Sequence, residues 1–227
     1  MHRREFTQGA WVLAVAGLWW PAGAQAAVRE SDAAQGVRAA LERGASAAVA
    51  LLGRTDGFLA NDKVRIGLPG GLEKAAKLLR ATGQGRRVDE LVTAMNRAAE
   101  NAVSQARPLL VAAVRSLSVE DALRIVQGGE TSVTEFFSAK TREPLGKQFL
   151  PVVTQATAKV GLADRYNAVA GQAAGLGLVK GEDANIQQFV TRRALDGLFT
   201  MIGEEEKKIR ADPMATGSAI LKKVFGR

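Results

Sequence analysis

The residues able to do chemistry in this chain are few, and their positions narrow the chemistry further. The single histidine, His2, and all three tryptophans, Trp11, Trp19 and Trp20, lie within the first 20 positions, and cysteine is absent. If that stretch is removed on export, the remaining chain has no Cys, His or Trp, and Tyr166 is its one tyrosine. This excludes a Ser-His-Asp triad, a Cys nucleophile, a zinc site of the usual N/S type, an iron–sulfur cluster and a His-ligated haem. Carboxylates, lysines, hydroxyls and one phenol remain, and no cofactor is expected.

Within that vocabulary Asn96, Arg97 and Glu100 form the leading constellation. On a helix, with Val88 as origin, Asn96 falls near 80° and Glu100 near 120°, at the flank of the apolar stripe, while Arg97 points to the opposite side at about 180°. Asn96 and Glu100 are one turn apart and able to act together. One reading makes them a polar constellation at the edge of a pocket. The other, favoured because polar groups at a core boundary must be satisfied in any case, makes them a hydrogen-bond network that fixes how this helix docks, with the C-terminal helix considered as its partner. Asp56, Asn61 and Asp62 come nearest to a loop of oxygen ligands for a hard cation, but they lack the alternate spacing and closing Glu of an EF-hand and are read as an ordinary turn. No metal is expected. Gly83-Gln84-Gly85-Arg86-Arg87 lacks the preceding strand of a phosphate loop and is read as a turn between helices.

A second candidate is basic. Glu204–Glu206 followed by Lys207, Lys208 and Arg210 sets i,i+4 pairs in the favourable order and reads as a solvated face worth a few tenths of a kcal/mol per pair. Its functional version gathers Lys207, Lys208, Arg210, Lys222, Lys223 and Arg227 beside Phe225 into a basic end suited to an anionic envelope component.

The elements that must position these residues are helical. Apolar residues recur at helical spacing from Ser31 to Gly53, with Ser31 and Asp32 as cap residues, then over about 72–82 and from Val88 to Val103. Pro108 interrupts, and the pattern continues to Leu117. Ser118-Val119-Glu120-Asp121 starts a capped helix that closes at Gly128-Gly129. Later helices are expected at about 131–142, 144–160, 162–175, 184–211 and 214–225, with a linker over 175–183. From Ile186 to Ile202 apolar positions cover well over half the circumference, which places that helix in the middle of the bundle, with Gly197 and Gly203 admitting close neighbours. Only Thr55 to Pro69 departs, with turn residues followed by basic–apolar alternation. The reading is all-α: a single helical bundle of eight to ten helices, with at most one short strand or hairpin near 55–69.

The chain has 227 residues, 31 basic and 23 acidic, for a net charge of +8. Its start, with Arg3 and Arg4, an apolar run from Trp11 to Trp20, Pro21, and Ala24 and Ala26 around Gln25, has the layout of a secretory signal peptide over 1–26, leaving a helical domain over 27–227. The run falls short of the roughly 20 apolar residues that span a bilayer. Arg3-Arg4-Glu5-Phe6 resembles the twin-arginine signal, although Thr7 and Gln8 depart from its usual followers, so both export routes stay open. The expected location is the periplasm, as a soluble protein without a transmembrane segment. Cleavage leaves 29 basic against 22 acidic side chains, a net charge of +7. Export removes nucleic acid from reach, and the basic residues are mixed with acidic ones, so nucleic acid is not an expected partner.

Arg65–Pro69 (RIGLP), Met95–Glu100 (MNRAAE), Glu120–Ala122 (EDA), Leu195–Phe199 (LDGLF), Glu205–Pro213 (EEKKIRADP) and Leu221–Gly226 (LKKVFG) together resemble the bacterial family called domain of unknown function 4197. The resemblance covers nearly all of 27–227. It implies an exported helical protein and carries no catalytic assignment.

The function expected from these observations is a periplasmic, non-enzymatic binding or interaction protein, holding an apolar or lipid-like ligand or docking an envelope partner. One alternative is a carboxylate-dependent cell-wall glycosidase with Glu100 as its acid, although the chain is poor in the aromatic residues that line sugar grooves. Another is a structural role through self-association, which predicts a mass above 24 kDa in solution.

Overall fold

A computed structural model describes residues 22–81, 83, 85–126, 128–158, 164, 166 and 185–225. Among them α1 spans Ala22–Leu52, α2 Gly70–Ala81, α3 Gly85–Ser104, α4 Arg107–Arg115, α5 Val119–Val126, α6 Ser132–Ala158, α7 Ile186–Ala211 and α8 Ala219–Phe225, with a single 3-10 turn at Met214–Thr216 before α8. The described residues contain no strand. The class is therefore all-helical, as expected.

Several boundaries differ from the sequence reading, each for a local reason. Helix α1 runs through Ser31 and Asp32, so these residues do not cap it. The alanine-rich stretch before them has high helical propensity and nothing to stop it. The expected helices at 131–142 and 144–160 are one element, α6, with Pro144 and Pro151 inside it, which takes one from the expected number. Both prolines are exposed, so the carbonyls left without an amide partner are on the solvent side, where water can serve them. Pro108, in contrast, falls in the first turn of α4, where its missing N–H costs nothing. The capped start of α5 forms as expected: Ser118 Oγ accepts the Asp121 N–H at 3.1 Å and an Asp121 carboxylate oxygen accepts the Ser118 N–H at 3.3 Å. The expected helix at 162–175, save residues 164 and 166, and the linker at 175–183 lie outside the described residues.

The core forms around α7, which packs against α6, α1 and α3. Ile186, Val190, Leu195, Leu198, Phe199 and Ile202 are all buried, which places this helix inside the bundle. In α6 the buried positions Val133, Phe137, Thr141, Leu145, Phe149, Val153 and Thr157 recur every four residues. A strict four-residue repeat precesses by about 40° per step, so the two ends of α6 face different neighbours, among them α3, α4 and α5.

The segment between α1 and α2 is not a hairpin, and residues 65–69 adopt no regular structure. Its alternation is nonetheless real in burial: Val64 and Ile66 point inward, Lys63 and Arg65 outward. Phe58 is fully buried and plugs the segment into the core against α7 at Gly197. A Cβ at Gly197 would lie 2.6 Å from Phe58 Cε1 and 3.2 Å from Val64 Cβ, so the close approach expected there exists. At Gly203 the nearest atoms, on Thr131 and Thr134, are 3.7 Å away, which is ordinary contact.

Candidate functional site

Asn96 and Glu100 lie on the face of α3 that meets the 53–69 segment, and both are buried, Asn96 at 0% exposure and Glu100 at 4%. Asn96 replaces the strand that Ile66 lacks. Its Oδ1 accepts the Ile66 N–H at 2.9 Å, and its Nδ2 donates to the Ile66 carbonyl and to the Val92 carbonyl, each at 2.8 Å. Glu100 holds the other end of the same segment. One carboxylate oxygen accepts the N–H groups of Phe58 at 3.2 Å and Leu59 at 3.4 Å, and the other accepts from Arg97 at 2.7 Å. Arg97 does not point away from this group: its long side chain also donates to Asp56 at 2.7 Å. The hydrogen bond to Glu100, and after it the one to Asp56, raises the Arg97 guanidinium further above its ordinary value.

The three residues picked out in the sequence thus form one network, and its partner is the 53–69 segment, not the C-terminal helix. It clamps that segment at residues 58–59 and at residue 66. Asp56, considered as a cation ligand, is the outer end of the network. Asn61 accepts the Lys63 N–H at 3.2 Å within its own turn. Among the described residues no group of three or more His, Cys, Asp or Glu is placed to hold a metal ion.

Glu206 plays a corresponding part at a second junction, and it is not on a solvated face. It is 4% exposed and sits at the N-terminus of α6. It accepts the N–H groups of Val133 at 3.1 Å and Thr134 at 2.8 Å, and the Thr134 hydroxyl at 2.7 Å. These are donors that the first turn of a helix leaves unpaired, and a carboxylate also suits the positive end of the helix dipole. Arg210 donates to Glu206 at 2.9 Å and to Ser132 Oγ at 2.9 Å, and its guanidinium stacks 4.9 Å from the Phe225 ring centre. Nothing local marks Glu206 out, because the groups it serves lie more than 70 residues away.

The proposed basic end is largely neutralised by neighbours. Lys207 pairs with Glu204 at 3.7 Å, Lys208 with Glu205 at 2.6 Å, Arg210 with Glu206, and Lys223 with Asp32 on α1. Of the other two, Lys222, half-buried on α8, is outside these pairs, and Arg227 lies outside the described residues. The hydrogen bond that Lys208 donates to Glu205 raises its ammonium above the ordinary value, and the one from Lys63 holds Glu204 below the usual carboxylate range.

The outer side of the clamped segment carries an open groove of about 630 Å³. Leu51 and Ala60 are among the residues that line it, and Arg54, Asp56, Asp62 and Lys63 bring its charges. Gly57, also in its wall, is required by a close approach: a Cβ there would lie 2.5 Å from the carbonyl oxygens of both Leu51 and Leu52. Asp56 beside it adopts a left-handed backbone, φ 63°, a region that Asp tolerates better than most residues.

The model of a family described as "Protein of unknown function (DUF4197)" matches residues 27–226. No curated protein and no solved structure matches the chain.

Proposed function

The chain belongs to that family, and from this premise we propose that it works as a periplasmic, non-enzymatic binding protein that docks a polar envelope partner on the outer face of the 53–69 segment. The observation carrying this reading is how Asn96 and Glu100 are used. Both are buried, and both are engaged by backbone groups of that one segment. A glycosidase acid must reach the leaving oxygen of its substrate, whereas Glu100 is enclosed and both its oxygens accept from N–H donors. The expenditure makes sense if the segment must keep one shape. The groove it forms has a charged lining, which suits a polar partner better than a lipid-like one. Export is supported by the layout of residues 1–26, and the family match begins at residue 27, directly after the expected cleavage. No helix among the described residues is long and apolar enough to cross a membrane.

Glu100→Gln tests the reading. The wild-type protein should leave purified cell wall undegraded, and the variant should melt at a lower temperature, because an amide is a poorer acceptor for Arg97 and two backbone N–H groups. A wall-degrading activity in the wild type that E100Q abolishes without lowering the melting temperature would overturn it.

A further inference from the structure

We propose that the groove on the 53–69 segment binds a short peptide bearing both a free ammonium and a free carboxylate, with Arg54 receiving the carboxylate and Asp62 the ammonium. This rests on the reading of that segment as the docking surface and specifies what it takes.

The inference follows from which charges in the groove are already used. Asp56 is held by Arg97, and the Lys63 ammonium by Glu204 at 2.5 Å. The side chains of Arg54 and Asp62, both exposed, make no hydrogen bond or ion pair with any described residue. The groove therefore keeps one unspent cation and one unspent anion. Its four charged side chains, Arg54, Asp56, Asp62 and Lys63, sum to zero on a chain of net charge +8. A locally neutral site on a basic protein gains little from a simple anion or a simple cation, but complements a ligand that carries both. Its size falls within the range of about 300–1,000 Å³ seen for small-ligand sites. The groove is also preorganised: Gly57 allows the close turn, Phe58 is plugged into the core, and Asn96 and Glu100 hold the segment at both ends. Binding to it orders little, so less affinity is lost to immobilising the site. The planar guanidinium of Arg54 can donate two parallel hydrogen bonds to a carboxylate.

The test follows backbone amide resonances of the protein during titration with L-alanyl-L-alanine, its N-acetyl form and its C-terminal amide. The free dipeptide should shift the amides of residues 54–63 saturably, and each blocked form should bind about tenfold more weakly or worse. Arg54→Gln should weaken the free dipeptide by a similar factor, and in that variant amidating the peptide should cost nothing further. Asp62→Asn should show the same non-additivity with acetylation. Both side chains are exposed, so neither change threatens the fold. Equal shifts from the free and blocked peptides, or no saturable shift at 54–63, would overturn the proposal. The non-enzymatic reading of Glu100 would then still be decided by the Glu100→Gln comparison, which does not depend on the peptide.

Discussion

Asn96 shows how one amide can substitute for a strand. Its side chain presents the same donor and acceptor pair that a neighbouring backbone would, and it satisfies the N–H and C=O of Ile66 in a site without water access. Asn96→Ala therefore leaves both groups buried and unpaired, at about 1–3 kcal/mol each, so urea denaturation should show a loss of roughly 2–6 kcal/mol. A loss under about 1 kcal/mol would mean that the segment finds other partners. Tyr166 supplies a spectroscopic test at the same scale. The residue is 3% exposed, and burial pushes its phenol well above its ordinary value against the opposing pull of Arg192. Because the folded value is raised, its contribution to stability is fully present below the unfolded value near 10 and is lost as pH rises beyond it. Tyrosinate absorbance should then appear above pH 10 together with unfolding seen by circular dichroism. With a single tyrosine in the chain, the signal has one source. Tyrosinate forming with the helices intact would contradict this burial.

At the scale of elements, the fold depends on how the 53–69 segment, α3 and α7 lock together. Gly197 lets Phe58 reach the core, and a methyl group there would sit 2.6 Å from the ring. Gly197→Ala should destabilise by about 1–3 kcal/mol through overpacking, despite the better helix propensity of alanine, and should broaden the amide signals of residues 56–66. Gly203→Ala is the control, because its surroundings have room and alanine should be neutral or stabilising there. The apolar spread over Ile186–Ile202 made the burial of α7 legible in sequence, since a helix apolar on most sides has to be surrounded. The Ser118 cap of α5 was legible for a similarly local reason. The continuity of α6 was not. Pro144 reads as a break, and only a tertiary arrangement that leaves both prolines on the solvent side lets the helix run on.

For the whole molecule, the charges are distributed more evenly than the excess of basic residues suggests. Four of the five described cations proposed for a basic end face carboxylates. The three lysine pairs among them are on an exposed surface and contribute about 0–1 kcal/mol each, so they disperse charge more than they hold the fold, whereas Arg210–Glu206 is largely buried. The export reading predicts that protein recovered from a periplasmic fraction has the intact mass of residues 27–227, beginning at Ala27, and a mass that includes Trp11, Trp19 and Trp20 would refute it. The sequence by itself determined the helical class, the central place of α7, the lack of any cysteine thiol and the confinement of imidazole to His2, because these depend on residue type and on spacing within a few turns. Asn96, Arg97 and Glu100 could be recognised as a group for the same reason. Only the tertiary structure decided what they hold, and that Glu206 belongs with them as a buried clamp. Their partners are mostly backbone N–H and C=O groups 30 to 73 residues away, which every residue but proline carries in full and which leave no mark on the sequence.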